Sequence, residues 1–233
     1  MVQLHDLAEH LRNERAGRPG FVVGITGGVA AGKSTLAAAL MADMAAGVDA
    51  PRVETACTDG FLMSNATLAR AGLTDRKGYP ESYDSTALHA ALLDVRRGPA
   101  RFPVYSHLVY DIDPGGVRTL DRPDVLIIEG LGLWDAPPVD ALIYVDACEV
   151  DLETWFIKRF MDLCAAGTTD AASFYARFAH LDAAAAEGIG RWVWAEINLP
   201  NIRANVLPLR ETADYVIRKG HDHRIDEIIV QRG

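Results

Sequence analysis

The sequence predicts an α/β fold, a parallel sheet core with helices on both faces, on three observations. Short apolar runs alternate along the chain with longer stretches of helix formers, the order that winds helices around a parallel sheet. The apolar runs are continuous rather than alternating, as strands buried on both faces are. A glycine-rich turn ending in Lys-Ser, GGVAAGKS at 27–34, lies between the first such run and the helix that follows it.

Residues 1–20 are polar and amphipathic and read as a short helix and linker ending at Gly17 to Gly20. FVVGIT at 21–26, bounded by Pro19-Gly20 and Gly27-Gly28, reads as the first buried strand. KSTLAAALMADMAA at 33–46 is dense in helix formers and stops at Gly47. Residues 52–58 give a second strand running into Asp59-Gly60, followed by a polar region punctuated by glycine and proline, then a helix near 85–97. DVLII at 124–128 and ALIYV at 141–145 are two more buried strands. Helix is expected from 151 to about 166, at 171–186 and at 190–198, a helical lid over about 151–200, and short late strands at 215–218 and 228–230. No repeat or linker interrupts this pattern, so residues 1–233 are expected to form one domain.

The 233 residues are 49% hydrophobic, enough for one core. A net charge of −9 argues against non-specific nucleic-acid binding, which needs a basic face. Cys57, Cys148 and Cys164 are far apart and form no C-x-x-C pair, so reduced thiols are expected rather than a disulfide framework or zinc site. No apolar run reaches the roughly 20 residues of a membrane span. The polar start has no signal-peptide h-region. The expectation is a cytoplasmic chain with no membrane partner.

GGVAAGKS fits G-x-x-x-x-G-K-[ST] in its proper strand-to-helix setting, the mark of a P-loop NTPase. Gly27, Gly28, Val29, Ala30, Ala31 and Gly32 would turn backbone N–H groups toward phosphate at a helix N-terminus that opens with Lys33, Ser34 and Thr35. Lys33 would reach the β- and γ-phosphates of ATP, and the Ser34 hydroxyl would ligate Mg²⁺. Asp59 and Glu129 each follow a strand and precede a glycine, at the sheet edge where ligands bind. Glu129 would face the magnesium, directly or through water. Asp59 suits the carboxylate that receives an acceptor's proton, although Asp-Gly alone is also a common turn.

PVYSHLVYD at 103–111, TDGF at 58–61 and KGYPESYD at 77–84 resemble the type I bacterial pantothenate kinases, P-loop kinases of the phosphoribulokinase and uridine kinase group. The likeness continues in IEGLGL at 128–133, IYVDA at 143–147, WFIKRF at 155–160, NIRANVLPLR at 201–210 and HDHRIDEIIV at 221–230. It implies transfer of the γ-phosphate of ATP to the primary hydroxyl of pantothenate, on the way to coenzyme A. It assigns catalysis to Asp59 with Lys33 and Arg159, the last as a lid arginine approaching the transferred group. It assigns Tyr105, His107, Phe156 and Asn205 to the pantothenate pocket, and Lys219 and His223 to the neighbourhood of the adenine. The family tends to dimerise, so a homodimer is a further implication. Two alternatives stay open: a kinase of this fold for another hydroxyl acceptor (a nucleoside, sugar or pantothenate analogue), and a nucleotide-dependent switch or assembly factor. The missing N-K-x-D motif counts against a GTPase among the latter.

Four departures stand out. Little of the family's long N-terminal segment precedes residue 27. Phe156 stands where a tyrosine is usual, a loss worth on the order of 1 kcal/mol in one hydrogen bond. Ala38 replaces an arginine that helps to hold the feedback inhibitor coenzyme A, and Leu163 lies where the family carries phenylalanines. Feedback by coenzyme A is therefore expected to be weak or lost. Turnover at saturating acceptor, measured with and without coenzyme A, should change little; strong competition with ATP would contradict this.

Overall fold

A computed structural model describes residues 3–231; Met1 and Val2, which open the segment assigned to the first helix, lie outside the described residues. In chain order the main elements are α1 (Leu4–Arg15), β1 (Phe21–Gly27), α2 (Lys33–Met44), β2 (Val53–Cys57), α3 (Asn65–Ala71) and α4 (Ser85–Asp94). They continue with β3 (Pro99–Ser106), β4 (Asp111–Asp121), β5 (Val125–Glu129), β6 (Ala141–Asp146), α5 (Glu149–Gly167), α6 (Ala183–Val193), β7 (Tyr215–Lys219) and β8 (Ile225–Val230). The main sheet runs β2-β5-β1-β6-β7-β8, parallel except for β8 at one edge.

Each strand feeds two cores because successive side chains point to opposite faces. Phe21, Val23 and Ile25 of β1 pack with Leu7 and Leu11 of α1 and Leu36 and Leu40 of α2. Val22 of β1 faces the other way, into a cluster with Leu88 and Leu92 of α4 and Phe102 and Leu120 of the β3–β4 pair. This two-sided burial is why the strands read as unbroken apolar runs.

Two elements were not anticipated. The antiparallel β3–β4 hairpin lies in a segment whose strand pattern is hidden by Pro103, Pro114, Gly115 and Gly116, and by a register shift between Pro103 and Tyr105. The short helix α3 is fixed at its ends rather than along its length. Ser64 Oγ accepts from the Thr67 N–H at 3.3 Å at one end, and Gly72 takes a left-handed conformation at the other.

The lid also differs from expectation. The segment expected as helix over 171–186 is instead a short 3₁₀ turn, Phe174–Phe178, and α6 begins only at Ala183. The Ser173 hydroxyl accepts from the Tyr175 N–H and the Asp182 carboxylate accepts from the Ala185 N–H, so two capping side chains restart the backbone inside the Ala-rich stretch. Gly190, expected near a helix start, lies within α6. Beyond α6 the rod continues through two wide turns, Trp194–Asn198 and Ile202–Val206. Each contains the residue four before a proline, Glu196 before Pro200 and Ala204 before Pro208. A proline ring crowds that carbonyl and supplies no N–H, so the chain bonds one residue further back. The Leu199 N–H reaches Trp194 O, and the Leu207 N–H reaches Ile202 O at 2.7 Å. Among the described residues no helix is long and apolar enough to cross a membrane.

The hairpin is seated on the turn after β2, where a side chain at Gly60 would overlap the Pro103 carbonyl oxygen. Gly60→Ala should therefore destabilise the fold by about 1–3 kcal/mol, measured by urea unfolding.

Candidate functional site

The turn between β1 and α2 is built for an anion. Gly27 and Gly32 have φ of 139° and 82°, which side-chain-bearing residues rarely adopt, and Gly32 caps α2. Ala30 also has a positive φ, 64°. Lys33 opens the helix, and its Nζ donates to Gly27 O at 3.0 Å and Gly28 O at 2.9 Å, folding the side chain back over the loop. Ser34 and Thr35 are exposed in the first turn. Ser34 Oγ donates to Glu129 Oε1 at 2.8 Å, so the hydroxyl and carboxylate expected at the magnesium meet directly.

Electrostatics shows what surrounds Lys33. Burial lowers its pKa, the carboxylates of Glu129 and Asp59 pull it back up, and the Arg159 guanidinium pushes it down. Four charged groups from α2, β5, the turn after β2 and α5 therefore share one region. Cys57 lies among them and accepts from the Asp59 N–H at 3.4 Å; burial and then the two carboxylates push its thiol pKa up, leaving it protonated and inert.

The residues expected on the acceptor side line up from Asp59 outward. Tyr105, at the end of β3, meets His107 edge-on at 5.1 Å and Tyr110 at 6.1 Å. Tyr110 packs on Phe174 at 4.6 Å. Burial raises the pKa of both tyrosines, with the Asp59 charge contributing to each, while Arg159 acts on Tyr110 from the other side. His107 is exposed and borders two cavities: about 270 Å³ towards the lid with Leu163 and Tyr175, and about 140 Å³ towards β2 with Cys57 and Arg118. Phe156 packs against Phe160 at 6.2 Å and Trp194 at 5.9 Å, inside the lid. Asn205 is less directly engaged. Its Nδ2 donates to Asn201 Oδ1 at 2.8 Å, and Asn201 Nδ2 donates to Gly78 O at 2.7 Å, so its link to the acceptor wall runs through the 77–84 loop. Ala38 is exposed on α2.

On the nucleotide side, Lys219 is only 8% exposed, and its Nζ lies 2.7 Å from where a Cβ on Gly32 would sit. Burial and then the Lys33 charge lower its pKa. His223 stacks on Trp155 at 3.6 Å and 24°, and Trp155 Nε1 donates to His221 O at 3.2 Å. Both predicted nucleotide residues thus flank the phosphate loop.

Sequence reasoning passed over three residues. Lys77 Nζ donates to Asn65 Oδ1 and Tyr110 O, both at 2.6 Å, and sits 4.2 Å over the Tyr110 ring and 5.0 Å over that of Tyr105. Tyr110 itself joins Tyr105 to the lid. Tyr83 Oη donates to Asp59 Oδ1 at 3.2 Å. All three lie in KGYPESYD or PVYSHLVYD, so the motifs carried a signal that their individual positions did not.

Among the described residues no group of three or more His, Cys, Asp or Glu side chains could hold a metal by itself. The Ser34 hydroxyl and Glu129 carboxylate are the hard oxygen donors that Mg²⁺ takes, the metal usually drawing its other ligands from phosphate and water.

A model of the phosphoribulokinase/uridine kinase family matches residues 22–168. The pantothenate kinase of Xanthobacter autotrophicus is 40% identical over 93% of this chain and 72% of its own length. That of Sorangium cellulosum is 42% identical over 99% and 79%. The chain belongs to this family, in its pantothenate kinase branch. Among solved structures, a protein from Silicibacter sp. TM1040 provisionally named a fructose transport system kinase superposes with a TM-score of 0.68 at 26% identity, covering 91% of this chain and 96% of that one. The kinase is accordingly a phosphotransferase with a hydroxyl acceptor.

Burial lowers the Lys77 ammonium of the kinase to about 8, the carboxylates of Asp111 and Asp59 opposing the shift. Because the folded value lies below the 10.5 of a free lysine, the folded chain loses this proton first as pH rises. Its contribution to stability therefore increases between those two values, while the positive charge beside Asp59 disappears. The acceptor kcat/KM should fall as pH rises through about 8, and Lys77→Arg should move that limb upward in a pH–rate profile.

Proposed function

We propose that the kinase transfers the γ-phosphate of ATP to the primary hydroxyl of pantothenate, giving 4′-phosphopantothenate. The observation that carries this reading is the convergence of Lys33, Glu129, Asp59 and Arg159 beside a wall of tyrosines and a histidine. The identity of about 40% with pantothenate kinases over nearly the whole chain supports the choice of acceptor.

Each residue then has a defined task. Lys33, released from Gly27 O and Gly28 O, and the N–H groups of the loop hold the β- and γ-phosphates. Ser34 and Glu129 would hold Mg²⁺, which would supply positive charge to the phosphates when bound. Asp59 orients the attacking hydroxyl and takes its proton as the new O–P bond forms and the bond to the ADP oxygen breaks in line with it. Arg159 brings a planar cation to the three oxygens of the moving phosphoryl group. Tyr105, His107, Lys77 and Asn205 give an acceptor with hydroxyls, an amide and a carboxylate several polar partners, with Phe156 as part of the apolar wall. Lys219 and His223 support the nucleotide.

A second acceptor class has one observation in its favour: the Silicibacter protein, named for a sugar, spans almost the same length of chain. Release of ADP measured against pantothenate, uridine and fructose tests the choice. Pantothenate should give the highest kcat/KM; turnover of another acceptor without pantothenate would reverse the order. Asp59→Asn should lower kcat by about 10²–10⁴ while ATP still binds with nearly unchanged affinity, read by calorimetry.

A further inference from the structure

The IEGLGL motif after β5 contributes Glu129 to the site, but its two glycines have no part in the scheme above. Both press against the groups behind Asp59. A Cβ on Gly130 would overlap the Thr58 hydroxyl, and one on Gly132 would lie 3.0 and 3.1 Å from the Tyr83 ring. Thr58 is fully buried, and its Oγ1 accepts from the Gly132 N–H at 3.2 Å. Tyr83 is 5% exposed, wedged edge-on against Trp134 at 5.4 Å, with its hydroxyl 3.2 Å from Asp59 Oδ1. The phenol is thus fixed by close packing, with its one polar atom turned to the carboxylate.

From this geometry we infer that Tyr83 is a positioning residue: its hydroxyl holds one oxygen of Asp59, leaving the other free for the acceptor's hydroxyl. The inference rests on the reading of Asp59 as the group that receives the acceptor's proton. Burial first, then the Asp59 charge, push the Tyr83 pKa well up, so the phenol stays neutral and remains a donor across the working pH range. A carboxylate free to rotate about its last bond would lose part of its reactive population; one held by a donor does not. Gly130 and Gly132 allow this by letting the β5 end close onto Thr58 and the Tyr83 ring without intervening side chains.

The test is a double-mutant cycle on the full chain, with pantothenate and ATP, read by steady-state and single-turnover rates. Tyr83→Phe keeps the ring that packs on Trp134 and removes only the donor. It should lower kcat by about tenfold to a hundredfold, the range for a hydrogen bond to a charged group, and leave the KM for ATP unchanged. In an Asp59→Ala background the same substitution should have no further effect on the residual rate. Gly132→Ala, which pushes the ring aside without removing the phenol, should reproduce the fall in kcat alone and covers the case in which Tyr83→Phe does not fold. An equal loss in both backgrounds, or a Tyr83→Phe rate equal to that of the unaltered chain, would overturn the role of Tyr83. Near-normal turnover in Asp59→Ala alone would instead overturn the reading of Asp59 on which it rests.

Discussion

Parallel pairing of β1, β5 and β2 places Ile25, Glu129 and Cys57 in one row, with Glu129 opposite each of the other two. Because all three strands point the same way, each leaves the sheet at the same edge. β1 leaves it into the phosphate loop, β5 ends on Glu129, and β2 runs into the turn carrying Asp59. A shift of one residue in the β1–β5 pairing would turn Glu129 to the opposite face and separate it from Ser34, and one in the β2–β5 pairing would displace the turn that carries Asp59. The apolar cores on both sides fix that register, so the packing of the sheet interior sets the geometry at its rim.

The rim then collects charge of both signs in a small volume. Lys33 is half-buried against its own loop, and the loss of solvent lowers its pKa, a shift that the carboxylates of Glu129 and Asp59 oppose. Burial, and then the same carboxylates, hold the Cys57 thiol in its neutral form. Arg159 and Lys219 add positive potential from α5 and β7, both of which lie C-terminal to the phosphate loop in sequence. Lys219 is buried and Lys33 half-buried, so their attraction for an anion is stronger than it would be in water, while Arg159 is exposed at the edge of the group.

Much of this was readable from the chain, for identifiable reasons. GGVAAGKS is local, and its strand and helix declare themselves by composition. Asp59 and Glu129 are marked by ending strands. Lys77, Tyr83 and Tyr110 are not marked in this way, because their roles depend on contacts between segments distant in sequence, Lys77 with Tyr110 and Tyr83 with Asp59 and Trp134. The lid shows the complementary difficulty. Its alanines favour helix throughout, yet α5 ends at Gly167, and the Ser173 and Asp182 side chains cap the starts of the two segments that follow.

The two wide turns at Pro200 and Pro208 bear on how the kinase can vary. In a regular helix, adding or deleting one residue rotates everything beyond it by about 100°. Each wide turn accommodates a residue that a regular helix would have spent on rotation, and together they set the angle at which Asn201 and Asn205 face the 77–84 loop. The length of the rod between Trp194 and Val206 is thus a phase setting. Substitutions on its outer face leave that phase intact, whereas a single insertion or deletion would turn Asn201 away from the Gly78 carbonyl that it holds, and with it the Asn205 amide bonded to Asn201.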